Sequence, residues 1–165
     1  MTDHTYAPDF HLQAIRSGRS INRESCRGTP LVLLFHNQEA VDTVTALQRE
    51  LRERWPDARN LLVASIVDMS GVPGIIHGMA KRVMGSAYAE AAQLLPEGLA
   101  PADYVIILPD WRGSVYRDFE IHDAGRAPTS VVVDGEWRLR GRSGGAQIVA
   151  ETVRIVNGIA SSGAS

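Results

Sequence analysis

Four short, predominantly apolar runs constrain the fold of this chain more than any other feature. They cover residues 31–35, 61–67, 104–108 and 130–133 and are rich in Val, Ile and Leu. Runs of this length, without regular alternation of polar and apolar residues, are typical of strands buried on both faces of a sheet. The sequence therefore predicts four central strands.

Amphipathic helices are predicted between and after these strands. In residues 39–55, apolar side chains recur at spacings of three and four and form one stripe of Val41, Val44, Leu47 and Leu51. In residues 75–95 the stripe predicted to pack on the core comprises Ile75, Met79, Val83, Ala87, Ala91 and Leu94. A last helix is predicted over residues 146–159. Strands that alternate with helices indicate an α/β protein with crossover connections.

The end of the chain adds an antiparallel element. Residues 129–134 and 137–142 read as two strands joined by Gly135 and Glu136, which predicts a hairpin and hence a mixed sheet. With 165 residues and no internal linker, residues 1–160 are expected to form a single domain, followed by a flexible tail over 161–165.

Charge and hydropathy exclude two classes of partner. The 17 basic and 19 acidic side chains give a net charge of −2 without a block of like charges, so no nucleic-acid partner is expected. No run of apolar residues is long enough for a membrane span. We expect a cytoplasmic protein if Met1 is the native start; otherwise the compartment stays open, because a removed signal peptide would leave no trace.

Three segments, in order, carry a family resemblance. They are APDF at residues 7–10 with RGTPLVLLF at 27–35, LPDWRGSV at 108–115 with Phe119 and Ile121 after it, and APTSVVVD at 127–134. The chain thereby resembles the redoxin branch of the thioredoxin superfamily, which includes peroxiredoxins and thioredoxin-like reductases. The resemblance implies a thioredoxin-like fold, with a central mixed β-sheet, helices on both faces and an N-terminal hairpin.

The resemblance fails where the family's chemistry lies. The reductases' Cys-x-x-Cys pair would fall at Ala40 and Thr43, and a peroxiredoxin's cysteine a few residues later, at 44–46. Both chemistries need a thiolate nucleophile. The only cysteine is Cys26, so no disulfide can form within one chain. We therefore expect a redox-inactive protein without a cofactor.

The expected binding site is the former active-site cleft. His36, Asn37, Gln38 and Glu39 follow the first central strand, at the carboxyl end where α/β sheets bind ligands. In the resembling family, the proline at the position of Pro128 is cis, and the backbone before it pairs with an extended peptide or thiol substrate. The resemblance thus implies a cis Ala127–Pro128 bond. It adds Ala127, Pro128 and Thr129 to a site for a peptide, a partner protein or a small ligand.

Two other functions remain open at this point. Cys26 could serve a one-cysteine thiol peroxidase or thiol oxidoreductase if Arg23 or Arg27 lowered its pKa, or it could be a structural thiol. His36 and His122 could face one cleft and bind a metal such as zinc or copper in an accessory protein, or lie on solvated loops. The oligomeric state is also open, with a homodimer as one alternative.

Overall fold

The structure, a computed structural model, describes residues 5–37, 40–122 and 127–162. The strands in these ranges are β1 (His11–Gln13), β2 (Ser20–Asn22), β3 (Leu31–Phe35), β4 (Leu62–Asp68), β5 (Ile107–Asp110), β6 (Thr129–Val133) and β7 (Leu139–Gly144). The helices are α1 (Val41–Arg54), α2 (His77–Gln93), α3 (Pro101–Tyr104), α4 (Ser114–Asp118) and α5 (Ile148–Ser162). Helix α5 thus continues two residues into the predicted tail.

Five strands form one mixed sheet in the order β5-β4-β3-β6-β7. Strand β3 pairs in parallel with β4, and β4 with β5, whereas β6 and β7 run antiparallel to their neighbours. Strands β1 and β2 form a separate antiparallel hairpin near the N-terminus. The predicted mixed sheet, N-terminal hairpin and C-terminal hairpin are confirmed.

The sheet separates two apolar cores, because successive side chains of a strand point to opposite faces. Leu31, Leu33 and Phe35 pack with the N-terminal segment and α4, and aromatic rings of Phe10, Tyr116, Phe119 and Trp137 fill this side. Val32 and Leu34 point to the other face and pack against α1 and α5. All five residues of β3 have no exposed surface, which confirms the prediction of a strand buried on both faces.

Helices α1 and α2 lie on the same face of the sheet. The connections β3-α1-β4 and β4-α2-β5 proceed in the same direction across the sheet, and right-handed crossovers then place both helices on one side. Consistent with this, side chains of both helices line a groove over β4 together with Ser65 and Val67. Among the described residues, no helix is long and apolar enough to cross a membrane.

The predicted buried face of α2 is wrong. Ile75, Met79, Val83 and Leu94 are 94%, 66%, 54% and 85% exposed, whereas Met84 and Gly85 are buried. The Arg16 guanidinium lies against Gly85, where an added Cβ would stand only 2.6 Å from Arg16 Nε. Glycine leaves room for this close approach, and α2 packs its Gly85 side inward while the predicted stripe stays largely exposed.

The predicted strand over residues 104–108 begins too early. Tyr104 ends the short helix α3, whose first residue is Pro101, and β5 starts only at Ile107. Proline is favoured at the first helical position, where its missing N–H has no partner to lose. The apolar run at 104–108 therefore spans a helix end, a connection and only the first residues of a strand.

Candidate functional site

The carboxyl ends of three strands and the start of a fourth meet at one edge of the sheet. Strands β3, β4 and β5 are parallel and end at Phe35, Asp68 and Asp110. Strand β6 is antiparallel to β3, and its first residue, Thr129, pairs with Phe35. The segments that follow β3 and precede β6 therefore leave the sheet side by side, as the predicted cleft requires.

Ala40 and Thr43 lie at the start of α1, at this same edge. Ala40 immediately precedes the helix, and its N–H donates to the Asn37 carbonyl oxygen at 3.3 Å. Thr43 is exposed in the first turn. The two positions at which the resemblance placed sulfur atoms thus carry a methyl group and a hydroxyl. Gln38 and Glu39, the other predicted residues of this loop, lie outside the described residues.

His36 is held as a neutral imidazole. Its Nδ1 lies 3.0 Å from the Asn37 carbonyl oxygen, and because a carbonyl only accepts, Nδ1 carries the proton. Its Nε2 is enclosed and, among the described residues, has no hydrogen-bond partner. Burial lowers the pKa of His36 below 6.5, because the imidazolium form would lose its hydration.

The structure brings His36 and His122 to the walls of one cavity of about 240 Å³, which we call the His36–His122 cavity. Its other described lining residues are Asn37, Val67, Asp68, Tyr116 and Ile121. This agrees with the expectation that the two histidines face one cleft. Within the described part of the chain, however, no group of three or more His, Cys, Asp or Glu side chains is placed to hold a metal ion.

Hydrogen bonds from α4 fix one wall of this cavity. The Asp110 carboxylate accepts the backbone N–H groups of Val115 and Tyr116 at 3.0 and 3.1 Å. The Tyr116 hydroxyl in turn donates to the Ile66 carbonyl oxygen at 2.6 Å. Burial raises the pKa of both Asp110 and Tyr116, so the tyrosine remains a neutral donor. Helix α4, which forms this wall, is thus hydrogen-bonded to both β4 and β5.

The predicted cis bond before Pro128 is wrong. No peptide bond among the described residues is cis, so the Ala127–Pro128 bond is trans. The trans form is the default of X–Pro bonds, favoured by roughly 0.5–1 kcal/mol, and the residue type alone does not reverse it. Pro128 is buried beside the start of β6, and Ala127, Pro128 and Thr129 line neither cavity of this edge.

Sequence reasoning missed a second cavity, which we call the α1–α2 groove. Its volume is about 280 Å³, and it lies over β4 between the two helices. Val41, Val44, Thr45 and Gln48 of α1 and Val83, Met84, Ala87 and Ala91 of α2 form its walls, with His36, Asn37, Ser65, Val67 and residues 104–107. The apolar stripe of α2 was the sequence signal of this groove. Periodicity alone, however, predicted that the stripe packs on the core.

Comparisons with known proteins bear on the fold. Models of protein families give no match, and neither do curated proteins. Solved structures do match. The pneumococcal exposed lipoprotein thioredoxin Etrx1 from Streptococcus pneumoniae strain TIGR4 has a TM-score of 0.62 at 16% identity, with 92% of this chain and 99% of that chain covered. A thioredoxin family thiol:disulfide interchange protein from Chlorobium tepidum TLS gives 0.60 at 18%, with 96% and 98% covered.

The chain has the thioredoxin-like fold. BsSco, a member of the Sco family of cytochrome c oxidase assembly proteins, is a further neighbour, with a TM-score of 0.63, 12% identity and coverage of 94% and 93%. The structural neighbours are thus of the redoxin type, as the sequence resemblance implied. In this thioredoxin-fold chain there is only one cysteine and no Cys-x-x-Cys pair.

Cys26 lies away from the thioredoxin-fold cleft. It precedes the amino end of β3, whereas the cleft residues follow the carboxyl end, and a five-residue strand separates the two ends by roughly 16 Å. The side chain is 2% exposed and belongs to the core that contains Phe10 and Trp137. Burial raises the pKa of the Cys26 thiol, because the thiolate would lose its hydration. These features are those of a structural thiol.

Proposed function

We propose that this thioredoxin-fold protein binds a ligand at the carboxyl edge of its sheet and performs no dithiol chemistry. One observation carries the proposal: an open groove of about 280 Å³ adjoins the start of α1, where the family resemblance implies that Ala40 and Thr43 stand in place of the redoxin cysteines. A scaffold that has no sulfur at this position and keeps a cavity beside it is suited to binding. The ligand is a peptide, a partner protein or a small molecule.

Thiol chemistry has little support at this edge. Disulfide exchange needs a thiolate that attacks and a second sulfur that resolves the mixed disulfide. Cys26 is buried, its pKa is raised, and it lies at the opposite end of β3. The one-cysteine peroxidase or oxidoreductase remains the competing function, because an external thiol could serve as the second sulfur.

Insulin reduction driven by dithiothreitol, together with peroxide consumption, tests the proposal. We expect the protein to accelerate neither reaction above the uncatalysed rate. Repeated turnover by metal-free protein that is lost in Cys26→Ser would overturn the proposal in favour of the competing enzyme. The double variant Ala40→Cys/Thr43→Cys is the positive control: if this edge corresponds to the redoxin active site, the restored pair accelerates insulin reduction.

A metal-binding accessory function has one observation in its favour, since His36 and His122 line the same cavity. The Asn37 carbonyl already engages Nδ1 of His36, and Nε2 is enclosed, so a metal would require this side chain to move. Elemental analysis of untagged protein separates the two functions. Stoichiometric zinc or copper that is lost in His122→Ala would replace the ligand-binding proposal.

A further inference from the structure

The described walls of the α1–α2 groove carry no charged side chain. Valines, methionine, isoleucines and alanines dominate, and the polar members are His36, Asn37, Thr45, Gln48, Ser65 and Tyr104. An unpaired charge that enters such a site loses its hydration without gaining a counter-ion, which costs far more than the burial of a neutral group. The side chains of the groove therefore offer no counter-ion to carboxylates, phosphates or ammonium groups.

Ser65 places one free hydroxyl on the floor of this groove. The residue pairs with Leu34 in the sheet interior, is only 7% exposed and lines the groove. Within the described structure its hydroxyl has no hydrogen-bond partner. The hydroxyl oxygen is not completely enclosed by protein atoms, so it borders the open space of the groove. Ser65 is the polar residue in the run Leu62–Val67, and its hydroxyl is available to a molecule that enters the groove.

Most of the backbone around the groove is already paired. Beyond their first turns, helices α1 and α2 bond their own peptide groups, and β4 lies between β3 and β5 in the sheet. An extended peptide in the groove could therefore form no strand-like ladder of main-chain hydrogen bonds, which is the usual source of peptide affinity. Small ligands, in contrast, bind mainly by apolar burial with a few well-placed polar contacts.

The volume sets the size of the ligand. An engineered apolar cavity of roughly 150 Å³ holds one benzene molecule. The groove, at about 280 Å³, has room for about two fused rings or an aliphatic molecule of the same bulk. Resting on the proposed function, we infer that the ligand of this edge is a small, uncharged, mainly apolar molecule that hydrogen-bonds to Ser65.

Three probes of equal ring size test this inference: 2-naphthol, 2-naphthoate and naphthalene. Titrations followed by ¹H–¹⁵N NMR give both the affinity and the location of binding. We expect 2-naphthol to bind with shift changes at Ser65 and Ala87, and 2-naphthoate to bind at least about tenfold more weakly because its charge is unpaired. Ser65→Ala should weaken 2-naphthol binding roughly fivefold to tenfold, the worth of one neutral hydrogen bond. It should leave naphthalene binding unchanged.

Two matched substitutions on α2 locate the site. Ala87→Phe places a ring into the groove and should abolish 2-naphthol binding, whereas Ala89→Phe, at an exposed position of the same helix that does not line the groove, should not. Equal or tighter binding of 2-naphthoate, or unchanged binding in Ala87→Phe, would overturn the inference. If extended peptides bind at this edge and 2-naphthol does not, the inference fails while the proposed function stands.

Discussion

Removal of the buried hydrogen bond between Ser130 and Thr152 should reveal how α5 is fixed to the sheet. The two hydroxyl oxygens lie 2.6 Å apart, and neither residue has exposed surface. The contact joins β6, one residue after its start at the candidate site, to the second turn of α5. The variants are Ser130→Ala, Thr152→Val and the double variant.

The expected magnitudes follow from the burial of both groups. Loss of one partner leaves the other hydroxyl unsatisfied in the core, which costs about 1–3 kcal/mol, whereas replacement of both by apolar groups is nearly neutral. The two single substitutions should not be equal. In Ser130→Ala, the Thr152 hydroxyl can turn to the carbonyl one helical turn earlier. In Thr152→Val, Ser130 lies in a strand without that option, so Thr152→Val should cost more.

Urea denaturation at pH 7 measures the four free energies of unfolding. We expect the double variant to be less destabilised than the sum of the two single variants by about 1 kcal/mol or more. A coupling below roughly 0.5 kcal/mol, which is the level found for independent sites, would refute the assignment of a stabilising buried hydrogen bond.

Three further predictions concern buried groups. Val132→Asp places a carboxylate in the core beneath α1 and α5 and should destabilise the fold by roughly 4 kcal/mol or more; a thermal midpoint within a few degrees of the wild type would place Val132 at the surface. Arg52 donates to the carbonyl oxygens of Trp55 and Leu61 at 3.2 and 2.8 Å. Arg52→Met should therefore lower the free energy of unfolding measured in urea by about 2 kcal/mol. An unchanged urea midpoint would show that these hydrogen bonds do not stabilise the fold. Burial lowers the pKa of His36 below 6.5, so protonation favours the unfolded state. The contribution of the neutral His36 to the free energy of unfolding is therefore fully present above pH 6.5 and falls as the pH drops below it. The stability of His36→Gln should fall less over this range, and parallel pH profiles of the two proteins would contradict the assigned shift.

The predictions that succeeded rest on local patterns. The run at β3 is apolar without interruption, and a strand that is apolar on both sides has to lie inside a sheet with both faces covered. The apolar spacing in α1 likewise identified its buried residues Val44, Leu47 and Leu51, but the prediction was wrong for Val41, which is 47% exposed in the first turn. The order of the family-like segments placed Ala40 and Thr43 at the start of this helix, at the edge where the strands end.

The predictions that failed depended on what surrounds a residue. The spacing in α2 revealed an apolar stripe but not which side of the helix would be covered, and in the structure the covered side is that of Gly85, which lies against Arg16. A proline at the right position in a family-like segment indicated a cis bond, yet the chain keeps the trans form before Pro128.

By itself, the sequence determined the α/β class, the central strands and the lack of a second sulfur, because these follow from residue types and their local spacing. Only the tertiary structure decided that His36 and His122 share a cavity, that Cys26 is buried away from it, and that Ser65 borders an open groove. Cavities form where side chains from distant segments fail to fill the space between helices and sheet. Their position and chemistry therefore depend on packing between elements that no local pattern of residues records.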